Sequence, residues 1–117
     1  MAAAPAGRAA ADRRLPEEWV RLEQERFRQL RLHALEALSG CLAEAGDFGA
    51  AVQAALAAVS GEPLRESAHR RVIEVHLAEG NPGEAVRQYR LYEAIAADEL
   101  GIQPSPRIRA LLAPVLQ

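Results

Sequence analysis

Gly46-Asp47-Phe48-Gly49-Ala50-Ala51-Val52 returns 34 residues later as Gly80-Asn81-Pro82-Gly83-Glu84-Ala85-Val86. Each copy reads as a glycine that stops one helix, a capping Asp or Asn, and the start of a new helix. Moving outward, the flanking residues keep the same spacing. Leu35-x2-Leu38-Ser39-x2-Leu42 precedes the first copy, and His69-x2-Val72-Ile73-x2-His76 precedes the second. Downstream, Ala51-x3-Ala55 is followed by Pro63, while Ala85-x3-Tyr89 has Ala97 where a second proline would fall. Ser39, Ala51 and Ala85 are small at matching places. Paired helices approach closely only where the facing side chains are short.

A period of 34 with small residues at these places resembles the tetratricopeptide helix hairpin. The expected fold is therefore all-α: a tetratricopeptide-like stack of helix hairpins with a C-terminal capping helix. Leu38, Gly46, Ala51, Pro63, Gly80, Ala85, Tyr89 and Ser105 are its expected structural repeat positions. Hairpins of this kind are scaffolds for binding proteins, which points away from catalysis.

The rest of the chain extends this frame. Residues 1–14 combine Ala, Gly, Pro, Arg and Asp without an apolar period, and are expected to form a disordered lead-in or linker remnant. A long helix is expected from Pro16, with Glu17 and Glu18 at the positive end of its dipole, ending at Gly46. Trp19, Leu22, Phe27, Leu30, Ala34, Leu38, Cys41 and Ala45 recur mostly at steps of three or four and are expected to face inward. Gly40 marks a candidate break in that helix. A second helix is expected over about 48–60; from Phe48 to Val59 its only polar side chain is Gln53, which suits either the middle of a stack or a partly exposed helix that receives a partner.

Ser60-Gly61-Glu62-Pro63 reads as a stop and restart, with Pro63 in the first turn of a third helix running to about Glu79. Leu64, Ala68, Val72, Val75 and Leu77 are its expected inward residues. Asn81-Pro82-Gly83-Glu84 has the form of a capping box opening a fourth helix, 82–99. That helix is expected to turn Ala85, Val86, Tyr89, Tyr92 or Glu93, and Ala96 inward. Gly101 ends it, and Ser105-Pro106 opens a last helix facing inward through Ile108, Leu111, Leu112 and Val115.

Composition narrows the function. At 117 residues, with 25 alanines and only five aromatic residues, one domain is expected, its core built from close helix contacts. All fourteen basic residues are arginine, which reads as the codon bias of a GC-rich genome rather than fourteen separate recognition sites. Seven of those arginines fall within residues 1–31, beside five acids, so they form no basic stripe of the kind a nucleic-acid surface needs. No apolar run is long enough for a membrane span, and one cysteine excludes an internal disulfide. The N-terminus lacks the hydrophobic segment of a signal peptide, so the chain is read as cytoplasmic.

No constellation of reactive residues emerges. His69 and His76 lie two turns apart, about 10 Å along a helix, too far to share a metal ion. His33 is expected to be half-buried structure. Cys41 sits in a segment without arginine and is read as a small hydrophobe. No catalytic, cofactor or metal site is expected.

The C-terminal half carries a more specific signature. Pro63-Leu64-Arg65-Glu66-Ser67-Ala68-His69-Arg70-Arg71, then Gly80 to Tyr89, then Glu99-Leu100-Gly101-Ile102-Gln103-Pro104-Ser105-Pro106 with Ile108-Arg109-Ala110-Leu111 stand in order. Over residues 15–117 this resembles the bacterial transcriptional activator domain of antibiotic-pathway regulators of the SARP type. The resemblance implies a tetratricopeptide-like module that follows a winged-helix DNA-binding domain and takes part in dimerisation and transcription activation. Nothing before Leu15 matches that winged helix, so the chain is read as a regulator's interaction module without its DNA reader. The partners implied are a DNA-binding domain, another subunit or RNA polymerase, with a second copy of the chain among them. Direct nucleic-acid binding is not expected. The alternative is a free-standing helical adaptor that docks a peptide and has no link to transcription.

Overall fold

The computed structural model describes residues 15–116, all of whose regular structure is α-helical. The helices are α1 (Pro16–Glu44), α2 (Phe48–Gly61), α3 (Glu66–Glu79), α4 (Pro82–Leu100) and α5 (Pro106–Leu112). Contacts run α1 on α2, α2 on α3, α3 on α4 and α1 on α3, with α5 closing against α3. This is the expected stack of two hairpins and a terminal helix. The expected lead-in over 1–14 lies outside the described residues.

Glycine sets the punctuation. Gly46, Gly80 and Gly101 all adopt positive φ, between 64° and 90°, each just past a helix end. A side chain there would meet the steric penalty of the left-handed region, so glycine ends the helix at least cost. Asp47 caps α2 by accepting the Ala50 N–H at 3.3 Å. Asn81 takes the corresponding place before α4, but its side chain makes no capping bond. The expected capping box is absent there, and Pro82, which has no N–H to satisfy, opens the helix instead. Pro63 likewise stands outside α3. Glu62 accepts the Leu64 N–H in the turn, and the helix begins three residues after the proline.

Gly40 does not break α1, which is continuous. Its missing side chain admits the Arg71 guanidinium from α3, which would lie 3.2 Å from an added Cβ. The close crossing of α1 and α2 is made at Ser39, wholly buried, whose hydroxyl donates to the Ala51 carbonyl at 2.7 Å.

Two apolar cores result. Leu32, Ala58 and Ala68 join the two hairpins, with Leu35 and Val59 alongside. Ile73, Ala85, Tyr89, Tyr92, Ala96, Ile108 and Leu112 form the larger core between α3, α4 and α5. The ambiguous inward position on α4 thus falls to Tyr92 rather than Glu93. On α5, Ile108 and Leu112 are buried, whereas Val115 lies beyond the helix and is exposed.

Ala51 and Ala85 are completely buried at helix crossings. Ala51→Leu and Ala85→Leu are each expected to destabilise the fold by about 1–3 kcal/mol through overpacking. Arg87→Ala, on an exposed position, should stay within about 0.5 kcal/mol of the parent. Urea unfolding followed by circular dichroism separates the cases, and equal losses for all three would refute this account of the crossings.

Candidate interaction surface

The inward face expected of α1 is its outward face. Trp19, Leu22, Phe27, Leu30, Ala34, Leu38, Cys41 and Ala45 are all exposed, with Phe27 at 66% and Trp19 at 50%. The helix turns Leu32 and Ser39 inward instead, with Leu35 and Leu42 half-buried. The physical reason is that α1 is apolar on two opposite sides. The hairpin took the side whose small Ser39 lets α2 come close, and the bulkier side was left to solvent. His33 is exposed as well, its Nδ1 2.8 Å from the Gln29 carbonyl. Cys41 is an exposed free thiol rather than a packed one.

A polar network holds α1 at a set angle to the second hairpin. Arg65, just before α3, donates to Glu36 of α1 at 2.6 Å, with both side chains less than one-fifth exposed. Glu36 also accepts from Ser67 at 2.8 Å, and Arg65 reaches Gln29 at 3.2 Å. Arg28, eight residues before Glu36 on α1, pairs with Glu62 at 2.9 Å. Between α1 and α3 lies a shallow cleft of about 330 Å3, walled by Gly40, Ala43 and Glu44 on one side and Arg71, Glu74 and Ala78 on the other. The Arg71 guanidinium at its floor is paired with Glu74 at 3.1 Å.

Two stretches far apart in sequence meet in a second polar cluster. Glu66, in the first turn of α3, accepts the Ser105 N–H at 3.0 Å and also the Ser105 hydroxyl. Burial pushes the Glu66 carboxyl up. The two Ser105 donors, the Tyr92 hydroxyl and the Arg70 charge outweigh it, so the group sits below its ordinary range. His69, one turn on, is wholly buried and donates from Nε2 to the Pro63 carbonyl at 2.7 Å, while Gln88 donates to its Nδ1 at 2.9 Å. Burial holds the imidazole below its usual value, against the opposing pull of the Pro63 carbonyl and Glu66, so it is neutral with the proton on Nε2. Tyr92 packs on that ring at 4.8 Å.

The Glu66–Ser105 contact ties the last turn and α5 to α3. Glu66→Gln and Ser105→Ala are each expected to cost about 1–3 kcal/mol, and the double variant less than the sum, because each removes the same bonds. The contact has a pH signature. A carboxyl lowered by folding contributes its full stability above the unfolded value, about 4.3, and loses it as pH falls through the folded value. Glu66→Gln should therefore flatten the acid limb of the stability curve, measured by urea titration across that range. An unchanged acid limb would refute the linkage.

The repeat positions fall as follows. Gly46 and Gly80 end α1 and α3. Ala51, Ala85 and Tyr89 are buried, Pro63 offers its carbonyl to His69, and Ser105 holds Glu66. Leu38 stands in solvent at 49% exposure. None of them lines the cleft or forms a reactive cluster, and Glu66 and Arg65 were not singled out from sequence. Their partners lie 39 and 29 residues away, and no local pattern marks such pairs.

Among the described residues no group of three or more His, Cys, Asp or Glu side chains is placed to hold a metal ion. None of the described helices is long and apolar enough to cross a membrane. No curated protein and no solved structure matches the chain. The two segments joined by Glu66 and Ser105 are those that carry the sequence signature, and the bacterial transcriptional activator domain matches over residues 4–116. The chain belongs to that family, the bacterial transcriptional activator domains.

Proposed function

We propose that this regulatory domain acts in transcription by holding a protein partner, without reading DNA and without catalysing a reaction. The observation that carries this reading is the outer face of α1. Seven large apolar side chains from Leu15 to Leu38 are exposed along the side of α1 that the packing leaves uncovered. Contiguous exposed apolar surface of this extent marks interaction sites on soluble domains. The charges argue against a DNA surface. Arg26 pairs with Glu23 and Arg28 with Glu25 on the same helix, so phosphates would meet carboxylates beside each guanidinium.

Two measurements test the proposal. A mobility-shift titration at low salt, on random and GC-rich duplexes, is expected to show no saturable shift. A sequence-dependent shift at sub-micromolar protein would overturn the reading. A photo-crosslinking residue in place of Phe27, used in cells, is expected to give a discrete protein adduct, whereas the same residue in place of Arg87 should not.

A further inference from the structure

We infer that His69 is an acid-sensitive catch built into the second hairpin. A proton taken up by its ring loosens α4 and α5 from α3 and leaves the α1–α2 crossing in place. The inference does not depend on what meets the outer face of α1. Its first support is that both ring nitrogens are already committed. Nε2 donates to the Pro63 carbonyl at 2.7 Å in the turn before α3, and Nδ1 accepts from Gln88 of α4 at 2.9 Å. The side chain is wholly buried, and Tyr92 of α4 lies against the ring at 4.8 Å.

An added proton can go only to Nδ1. The N–H so formed points at the Gln88 amide N–H, donor against donor. Gln88 must turn its amide over or withdraw, and either way a full charge is held out of water. Burying such a charge is costly unless an opposite charge pairs with it directly.

No neighbouring element supplies that pair. On α3 itself Glu66 is the carboxylate that acts on the ring, but it already accepts from Ser105 and from the Tyr92 hydroxyl, with the Arg70 charge beside it. The α2–α3 turn brings Glu62, which is taken by Arg28 and the Leu64 N–H. α1 brings Glu36, held by Arg65. α2 carries no charged residue between Phe48 and Gly61. α4 brings Tyr89 and Tyr92, whose phenols burial raises, and Glu93, which is paired with Arg90. α5 brings Arg109, of the same sign as the charged ring.

Burial holds the folded imidazole below its usual value, so the unfolded chain takes up the proton first. Stability is therefore complete above about pH 6.5 and falls as pH drops from there through the folded value. This window opens about two pH units above that of Glu66, so the two effects separate. The α1–α2 crossing rests on the Ser39 hydroxyl and the Ala51 carbonyl, and neither titrates.

Urea unfolding of the whole chain, from about pH 7.5 to about pH 5.5, is expected to show the midpoint falling once pH passes the free histidine value. Amide exchange in α4 and α5, corrected for intrinsic rates, should quicken by up to about tenfold per pH unit, the most that one proton can give. Exchange in α1 and α2 should not follow, and equal quickening there would overturn the confinement of the effect to the second hairpin. His69→Gln should flatten the midpoint across this range. Gln88→Glu should reverse the trend, because a carboxylate at Nδ1 favours the charged ring, and stability is then lost as pH rises through the folded value. The ring proton signal missing from His69→Gln identifies His69 in the parent, where it should titrate below its free value. In Gln88→Glu it should titrate above that value. A midpoint that stays flat in the parent, or one that still falls in His69→Gln, would overturn the catch. An unaltered ring titration in Gln88→Glu would do the same, even if that variant were too unstable for unfolding curves across the whole range.

Discussion

Deletion of residues 102–117 is expected to abolish the cooperative thermal transition of the domain. The segment contributes Ile108 and Leu112, both completely buried in the larger core, and the half-buried Leu111 packed beside them. Full burial stabilises by about 1.5–3 kcal/mol for each of the first two, and Leu111 adds a part of that, so the three together reach the lower end of the roughly 5–15 kcal/mol that holds a whole domain folded. The deletion also removes Ser105 and so takes two donors from the half-buried Glu66 carboxylate. Faces of Ile73, Tyr89 and Tyr92 would open to water, as they do when the terminal cap is stripped from a repeat array. Calorimetry should show a broad transition or none, and a hydrophobic dye should bind. A truncated chain that melts at the parent temperature and stays monodisperse would refute the capping role of α5.

The second large effect is expected at Tyr92. Its side chain is 2% exposed, packs against the neutral His69 ring and belongs to the same core as Ile108 and Leu112 of α5. Tyr92→Ala removes an aromatic ring from the junction of three helices and is expected to cost about 3–5 kcal/mol. Tyr92→Phe keeps the ring and loses only the hydroxyl beside Glu66, so about 0.5–1.5 kcal/mol is expected. Burial, with the Glu66 carboxylate adding to it, already raises this phenol above its usual value, so the hydroxyl stays protonated in the folded chain. Chemical unfolding of the two variants side by side tests the assignment. Similar losses would mean the hydroxyl, not the ring, carries the stability.

The helix count, the hairpin order and the places where the chain turns were legible in the sequence, because they depend on local chemistry. Gly46, Gly80 and Gly101 end helices through their own backbone freedom, and Ser39, Ala51 and Ala85 mark crossings because bulk is excluded there whatever the partner. Which side of α1 would be covered was not legible. Leu32, Leu35, Ser39 and Leu42 form one apolar face and Trp19, Leu30, Leu38 and Cys41 another, and helical periodicity alone rates both as candidates. Only the approach of α2 and α3 decided between them, by seating Ala51 on Ser39 and Arg71 on Gly40. The same holds for the pairs Arg65–Glu36 and Glu66–Ser105, whose partners the chain brings together only when the hairpins stack. Local propensity places helices along the chain. The choice of buried face, and so of the surface left in solvent, is made by packing between segments that the sequence keeps apart.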